Sequence, residues 1–406
     1  MHIALYSPSW PPAGAANGIV SYVATVRDYL ASEGHRVSVL SEGSLHLSDG
    51  RTLPLSPPLE ELRGVDRLKR RVSGRVDSWH GALPCIGRML AAQIREAHKI
   101  VPIDIVEMEE SFGWSDTVRR LSGIPVVTRL HGPHFLKPPA PRTARELRID
   151  LQRRQKEGRA VRSSLTLTAP TRAIMQATCD HYQRRSEAMD AVIPNPIQIA
   201  SETLRWNLDH CDRNHILMIG RFDYCKGADV MLLAFDKLLQ THPSAHLTLV
   251  GPHIGIETAP GQMADFETFA RKRLSPEAAR KITLTGTLTP SEIAQLRQQA
   301  FITVIASRWE NFPYALLEGL AAGCPMISTD WPGSEEIITS DETGFLTPVG
   351  DADAMAQRLS WLLDNSGAAA QVAATGFQHC RRTYTIESIG KRLLGCYEAT
   401  LRHPAQ

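Results

Sequence analysis

The chain has 406 residues, 43% of them hydrophobic and 22% charged, with a formal net charge of +2. That length can bury two cores, and so balanced a charge excludes nucleic acid as the main partner. Seven scattered cysteines without a C-x-x-C pair exclude a disulfide framework or a cysteine zinc site, and no apolar run reaches the ~20 residues needed to cross a bilayer.

Short apolar runs alternate with amphipathic stretches over most of the chain, the pattern of an α/β protein with parallel sheets. The opening "HIALYS" (2–7) reads as a strand rather than a secretory leader, because prolines stop it at once. A helix follows over 18–34, ended by Gly34, then the strand "RVSVLS" (36–41). Residues 51–80 form an irregular insertion, rich first in proline and then in arginine and lysine. Further strands are expected at 104–108, 125–130, 165–169 and 191–194, with helices near 85–100, 143–163 and 171–184 between them. After "PNPIQI" (194–199) a polar segment without periodicity marks a domain boundary. The pattern restarts with "HILMIG" (215–220), "HLTLVG" (246–251), "KITLTG" (281–286), "FITVIA" (301–306) and "PMIST" (325–329). The expected architecture is therefore two consecutive Rossmann-like halves, 1–197 and 198–382, followed by an amphipathic C-terminal helix, 383–406. Ligands of such sheets bind beyond the carboxyl ends of the strands, so a cleft between the domains is the expected site.

Three loops at such strand ends carry chemistry. "PPAGAANGI" (11–19) joins strand to helix with small residues, and Gly14 and Gly18 would let a ligand approach the backbone. Tight strand–helix packing explains that loop about as well. "GRFDYCKG" (220–227) places Arg221 and Lys226 where a diphosphate could lie, one cation as a fork and the other as a compact charge. "SRWENFPYALLEGLAAGCP" (307–325) sets Glu310 before a helix and Glu318 within it. Pro313 suits the first helical position, Asn311 or Phe312 the cap, and Gly323 with Pro325 the end. The helix start would aim the N–H groups of Phe312, Tyr314 and Ala315, and its positive dipole end, at a ligand. As ordinary surface residues, Glu310 would serve the helix dipole and Glu318 would be a solvated face residue.

The motifs "GRFDYCKG", "LVG", "TLTGTLTPSEI", "SRWENFPYALLEGLAAGCPMIST" and "GFLTPVGDADAMA" resemble those of retaining, nucleotide-sugar-dependent glycosyltransferases of family four, with the GT-B fold. The loop ending in Gly18, "TRLHGPH" (128–134) and "PNPI" add looser support. The resemblance implies two facing Rossmann-like domains, with the C-terminal helix packing back on the first. It implies that Glu310 lies by the hydroxyls of the donor sugar and that Glu318 accepts from the ribose hydroxyls. Arg221 and Lys226 match the basic pair that neutralises the leaving diphosphate, and His131 a first-domain histidine near the donor sugar. It implies no protein nucleophile and no cofactor: a hexosyl group passes from a nucleotide diphosphate sugar to a glycan or lipid-linked glycan in surface polysaccharide assembly. A small secondary metabolite is the alternative acceptor, and a non-catalytic nucleotide-sugar sensor the alternative function. "TGTLTPSEI" offers no aspartate to read guanine, which favours uridine as the base.

Asp351 and Asp353 form a D-x-D, a metal motif in another glycosyltransferase fold, but here they precede a helix. Asp353 is expected as its cap, and no metal is expected. Residues 63–77 carry Arg63, Arg67, Lys69, Arg70, Arg71 and Arg75, a solvated loop or a peripheral contact with anionic lipid. The location expected is cytoplasmic, with any membrane contact at the inner face.

Overall fold

The computed structural model describes residues 1–12, 17–41, 43–55, 83–137, 144–185, 187–259 and 262–402. Gly14 and the basic stretch 63–77 lie outside these residues. The chain divides into two compact units, one containing the described residues up to Pro196 and those from Ile386 onward, the other Ile197–Thr385.

Among the described residues, the first unit is built on an eight-stranded sheet. Its spatial order is Thr52–Pro54, Ser44–Leu47, Arg36–Ser41, His2–Tyr6, Ile105–Glu109, Val126–Arg129, Thr166–Ala169, Ala191–Val192. The strands from Arg36 onward in that order pair in parallel, and the two short ones at the edge pair antiparallel. Those edge strands escape sequence reading because each is too short to show alternation. Central strands bury both faces, which is why "IAL" and "VV" read as continuous apolar runs. Helix Gly18–Ser32 turns Val20, Val23, Val26 and Leu30 inward at helical spacing. Strand order reverses at His2–Tyr6, which lies between Arg36–Ser41 and Ile105–Glu109. The loops leaving these strands are the natural ligand-facing side.

The C-terminal helix Ile386–Arg402 packs back on this first unit, as the fold resemblance implies. A Cβ at Gly390 would fall 2.1 Å from the Tyr29 ring, so that helix lies directly on helix Gly18–Ser32. Buried Tyr397 donates to Glu107 at 2.9 Å, and Thr400 meets Thr166 at 2.8 Å.

The second unit holds a six-stranded parallel sheet among the described residues. Its order is Ile282–Gly286, His246–Val250, Asp212–Ile219, Ala300–Ile305, Met326–Thr329, Phe345–Thr347. Here the order reverses at Asp212–Ile219, flanked by His246–Val250 and Ala300–Ile305. A separate three-stranded element comprises Phe222–Asp223, His253–Ala259 and Gln262–Ala264.

The loops following Asp212–Ile219 and Ala300–Ile305 leave adjacent strands and touch. Gly227 adopts φ +68, and a Cβ there would lie 1.8 Å from the Ala306 carbonyl oxygen. No residue with a side chain fits while both backbones stay in place. Gly227→Ala should therefore destabilise the protein beyond the strain of the left-handed conformation, which alone is of order 1–3 kcal/mol. Gly286→Ala is the control, because Gly286 has φ +71 but open space around its would-be Cβ. Denaturant unfolding should show the larger loss at position 227; equal losses would mean the two backbones are not in enforced contact.

Candidate active site

The touching loops bring Lys226 and Glu310 together. Lys226 Nζ donates to Glu310 Oε1 at 2.5 Å, with side-chain exposures of 26% and 11%. Ser307 Oγ donates to the same carboxylate oxygen at 2.7 Å. Asp223 organises the other loop: one oxygen accepts from the Lys226 backbone N–H at 2.7 Å, the other from Arg221 Nε at 2.7 Å. Arg221 thus stays half-exposed but oriented.

Arg308 fastens the two loops. Its guanidinium makes a two-pronged bond to Asp229, 2.7 Å on each side, and donates to the Tyr224 carbonyl at 2.6 Å. It also lies over the Tyr224 ring at 3.7 Å, while its backbone N–H reaches the Cys225 carbonyl at 2.9 Å. The paired Asp229 carboxylate raises the Arg308 pKa despite burial.

Helix Tyr314–Ala322 begins one residue later than expected. Pro313 is its cap, with extended ψ of 121°, rather than its first residue, and no side chain caps the helix. Pro313 has no N–H to lose, and its carbonyl accepts from Leu316 and Leu317 at 3.1 and 3.3 Å. Asn311 and Phe312 therefore precede the cap. The Phe312 ring turns into the core, edge-on to Tyr384 at 5.8 Å, so it could face a ligand only with its backbone. Tyr314 and Ala315 open the helix and Glu318 lies in its second turn. Gly323 ends it in the left-handed conformation, as expected, with Cys324 N–H reaching back to Gly319 at 3.0 Å. Glu318 pairs with Arg297 at 2.8 Å, a residue the sequence reading passed over.

The D-x-D reading needs one correction. Asp351, not Asp353, caps the following helix, accepting from the Ala354 N–H at 2.9 Å. Asp353 lies inside the first turn and pairs instead with Lys237. Among the described residues no cluster of His, Cys, Asp and Glu could hold a metal.

In the first unit Gly18 opens helix Gly18–Ser32, whose cap Asn17 accepts from the Ile19 N–H at 2.9 Å. The His131 ring rests edge-on against Tyr22 of that helix, 5.0 Å between centroids. Burial, helped by the Arg129 charge, holds His131 well below the usual imidazole range, so the ring is neutral. Its loop is gripped from beneath by two carboxylates that sequence reading missed. Glu110 accepts from the backbone N–H of His131 at 2.8 Å and of Gly132 at 2.9 Å. Glu157 accepts from the His134 N–H at 2.8 Å. Pro133 has no N–H, so these two side chains hold every backbone donor of the loop from His131 to His134. Burial and the neighbouring Glu157 and Glu109 push Glu110 up to about 8. Glu157 rises to about 7, chiefly through burial, although Tyr182, Arg153 and Lys137 oppose this.

Similarity to known proteins decides the family. A profile described as "Glycosyltransferase Family 4" matches residues 16–201, and one described as "Glycosyl transferases group 1" matches 201–379. The chain belongs to the family-four glycosyltransferases, with the GT-B fold. Over 98% of its length it is 23% identical to a D-inositol 3-phosphate glycosyltransferase of Segniliparus rotundus, covering 89% of that protein. Over 45% of its length it is 26% identical to the lipopolysaccharide core biosynthesis mannosyltransferase LpsB of Rhizobium meliloti. That match spans 51% of LpsB. The solved structure of Anabaena HepE in complex with UDP-glucose superposes with a TM-score of 0.67 at 15% identity, covering 98% of this chain and 100% of that one. Among the described residues no helix of this glycosyltransferase is long and apolar enough to cross a membrane.

The buried carboxylates give a pH prediction. A carboxyl raised in the folded state keeps its proton where the unfolded chain has lost it, so stability falls as pH climbs from the ordinary carboxylate range to the raised value. Histidines that burial presses down, among them His131 and, at about 4, His134 and His215, act oppositely, but their contribution is complete once pH is about a unit above the usual imidazole range. Between about pH 7.5 and pH 8.5, above the histidine range and across the raised Glu110 value, the melting temperature should therefore decline. The decline should be shallower in Glu110→Gln, and an identical slope in the variant would show that Glu110 does not titrate there.

Proposed function

We propose that the protein is a retaining hexosyltransferase that uses a nucleotide diphosphate sugar, preferentially a UDP-sugar, and glycosylates a glycan or lipid-linked glycan during surface polysaccharide assembly. The observation that carries this reading is the Lys226–Glu310 pair at the switch point of the second sheet. A cation there suits a diphosphate, and a carboxylate beside it suits sugar hydroxyls. The UDP-glucose complex of HepE supports the base, and the name of LpsB supports a polysaccharide acceptor.

In this reading Lys226 leaves Glu310 for the diphosphate when donor binds, and Arg221 adds the second cation. Glu310, its Oε1 still held by Ser307, offers its carboxylate to the hexose hydroxyls, while Glu318 takes the ribose diol. The diphosphate departs and its oxygen accepts the acceptor's proton on the face where the new bond forms, which retains configuration. His131, which the family resemblance associates with the donor sugar, is a neutral ring and so would tolerate positive charge developing on that sugar. Positioning and electrostatic stabilisation of the leaving group do the catalytic work, without a protein nucleophile.

The two glutamates should separate kinetically. Glu318→Ala should weaken UDP binding by roughly 1.5–3 kcal/mol, the value of a hydrogen bond to a charged group, and raise KM more than it lowers kcat. Glu310→Gln should bind UDP no more weakly than the native protein, because Lys226 is released, while kcat falls about tenfold or more. Calorimetry with UDP and steady-state kinetics with the donor test both, and reversed behaviour would overturn the division of labour.

Charge neutralisation by Arg221 and Lys226 leaves no task for a metal, and Asp351 and Asp353 are engaged with the Ala354 N–H and Lys237. Turnover should persist in excess chelator. Abolition that magnesium restores would return the D-x-D to consideration.

A further inference from the structure

Arg297 lies on helix Pro290–Gln299, on the inward side with Ile293 and Leu296, and is 5% exposed. Its Nη2 donates to Glu318 Oε2 at 2.8 Å, and its Nε finds no hydrogen-bond partner. Glu318 keeps 43% of its side-chain surface exposed. Burying a guanidinium is costly, and a bond to a half-solvated carboxylate recovers little of that cost. As a device for stability this pair is poor. As a support for the carboxylate it is apt: Arg297 engages Oε2 from the buried side and fixes the rotamer of a flexible side chain, leaving its other oxygen to accept.

We propose that Arg297 is a positioning residue for nucleotide recognition, pre-orienting Glu318 for the ribose 2′- and 3′-hydroxyls of the nucleoside diphosphate. The proposal deepens the functional reading and rests on its assignment of Glu318 to the ribose. An unsupported glutamate would have to surrender its rotamer freedom on binding, a cost that Arg297 meets during folding instead. The support matters only for ligands that carry the diol, and that separates it from a general role in packing.

The test compares UDP with 2′,3′-dideoxy-UDP by calorimetry on the full chain (ADP or GDP and their dideoxy forms replace them if either binds the native protein more tightly). Native protein should prefer the diol-bearing ligand by on the order of tenfold or more, as expected for hydrogen bonds to a charged acceptor. Arg297→Met, of similar length, should lose about five- to tenfold in affinity for UDP and almost none for the dideoxy ligand, so that discrimination collapses. Its kcat at saturating donor should stay near the native value. Arg297→Lys should recover part of the discrimination, and adding Arg297→Met to Glu318→Ala should cause no further loss. Equal weakening of both ligands, or additive losses in the double variant, would overturn the positioning role. Undiminished discrimination in Glu318→Ala would overturn the ribose assignment itself, and the role of Arg297 with it.

Discussion

The site in the second unit depends on the approach of two loop backbones, with Gly227 so close to the Ala306 carbonyl that no Cβ fits between them. Loops from neighbouring parallel strands diverge by default, because each must climb to its own helix. Here the missing side chain at 227 and the Arg308 bonds to Asp229 and Tyr224 hold them together. Lys226 and Glu310, 84 residues apart in sequence, meet as a consequence. The chemistry of either residue alone is ordinary. Their shared position at the reversal of strand order is what makes a site.

Charge bookkeeping clarifies how that site would work. Arg221 and Lys226 each face a carboxylate, Asp223 and Glu310, so the resting cluster carries no surplus of positive charge. A diphosphate could not be drawn there by net charge alone. In the proposed mechanism it would be neutralised by reassignment: Lys226 would exchange one anion for another, and the carboxylate it leaves would become an acceptor for sugar hydroxyls. Partly buried pairs suit such exchange, because desolvation has cancelled much of their Coulomb gain and the net cost of separating them is small once a replacement anion is present. Asp223 does not need to move, since it holds the Lys226 backbone rather than its ammonium group.

Much of this was legible in the sequence, and the exceptions share a physical cause. The strand–helix alternation, the loops bearing Arg221, Lys226 and Glu310, and the helix that carries Glu318 and ends at Gly323 follow from periodicity, turn residues and resemblance. Pro313 shows the limit of local rules, since its φ fits both the cap and the first helical residue and only ψ separates them. Asp351 and Asp353 show the same limit, because either residue type can cap and only the backbone shows that Asp351 precedes the helix while Asp353 lies inside it. Arg297, Arg308 and Glu110 were missed because their meaning is tertiary. Arg297 left one faint trace, a cation four residues after Ile293 on an otherwise inward stripe. Glu110 left none, since two adjacent glutamates at a strand end look like ordinary solvated charge.

The loops in the two units solve opposite problems. In the proposed mechanism Lys226 and Glu310 part, and they are joined by one side-chain contact at moderate exposure. The loop from His131 to His134 must stay put, and buried carboxylates hold each of its backbone donors. Gripping the backbone rather than the imidazole leaves the ring's polar atoms for other work, and burial keeps that ring neutral. A neutral imidazole suits a place where positive charge is expected to develop, because an imidazolium would oppose it. Glu110 and Glu157 bear the electrostatic cost of this arrangement, with both carboxyls forced upward by burial and Glu110 also by its neighbours. Apolar side chains in their place would leave those backbone donors unpaired, so the two carboxyls fix the loop while bearing the desolvation themselves.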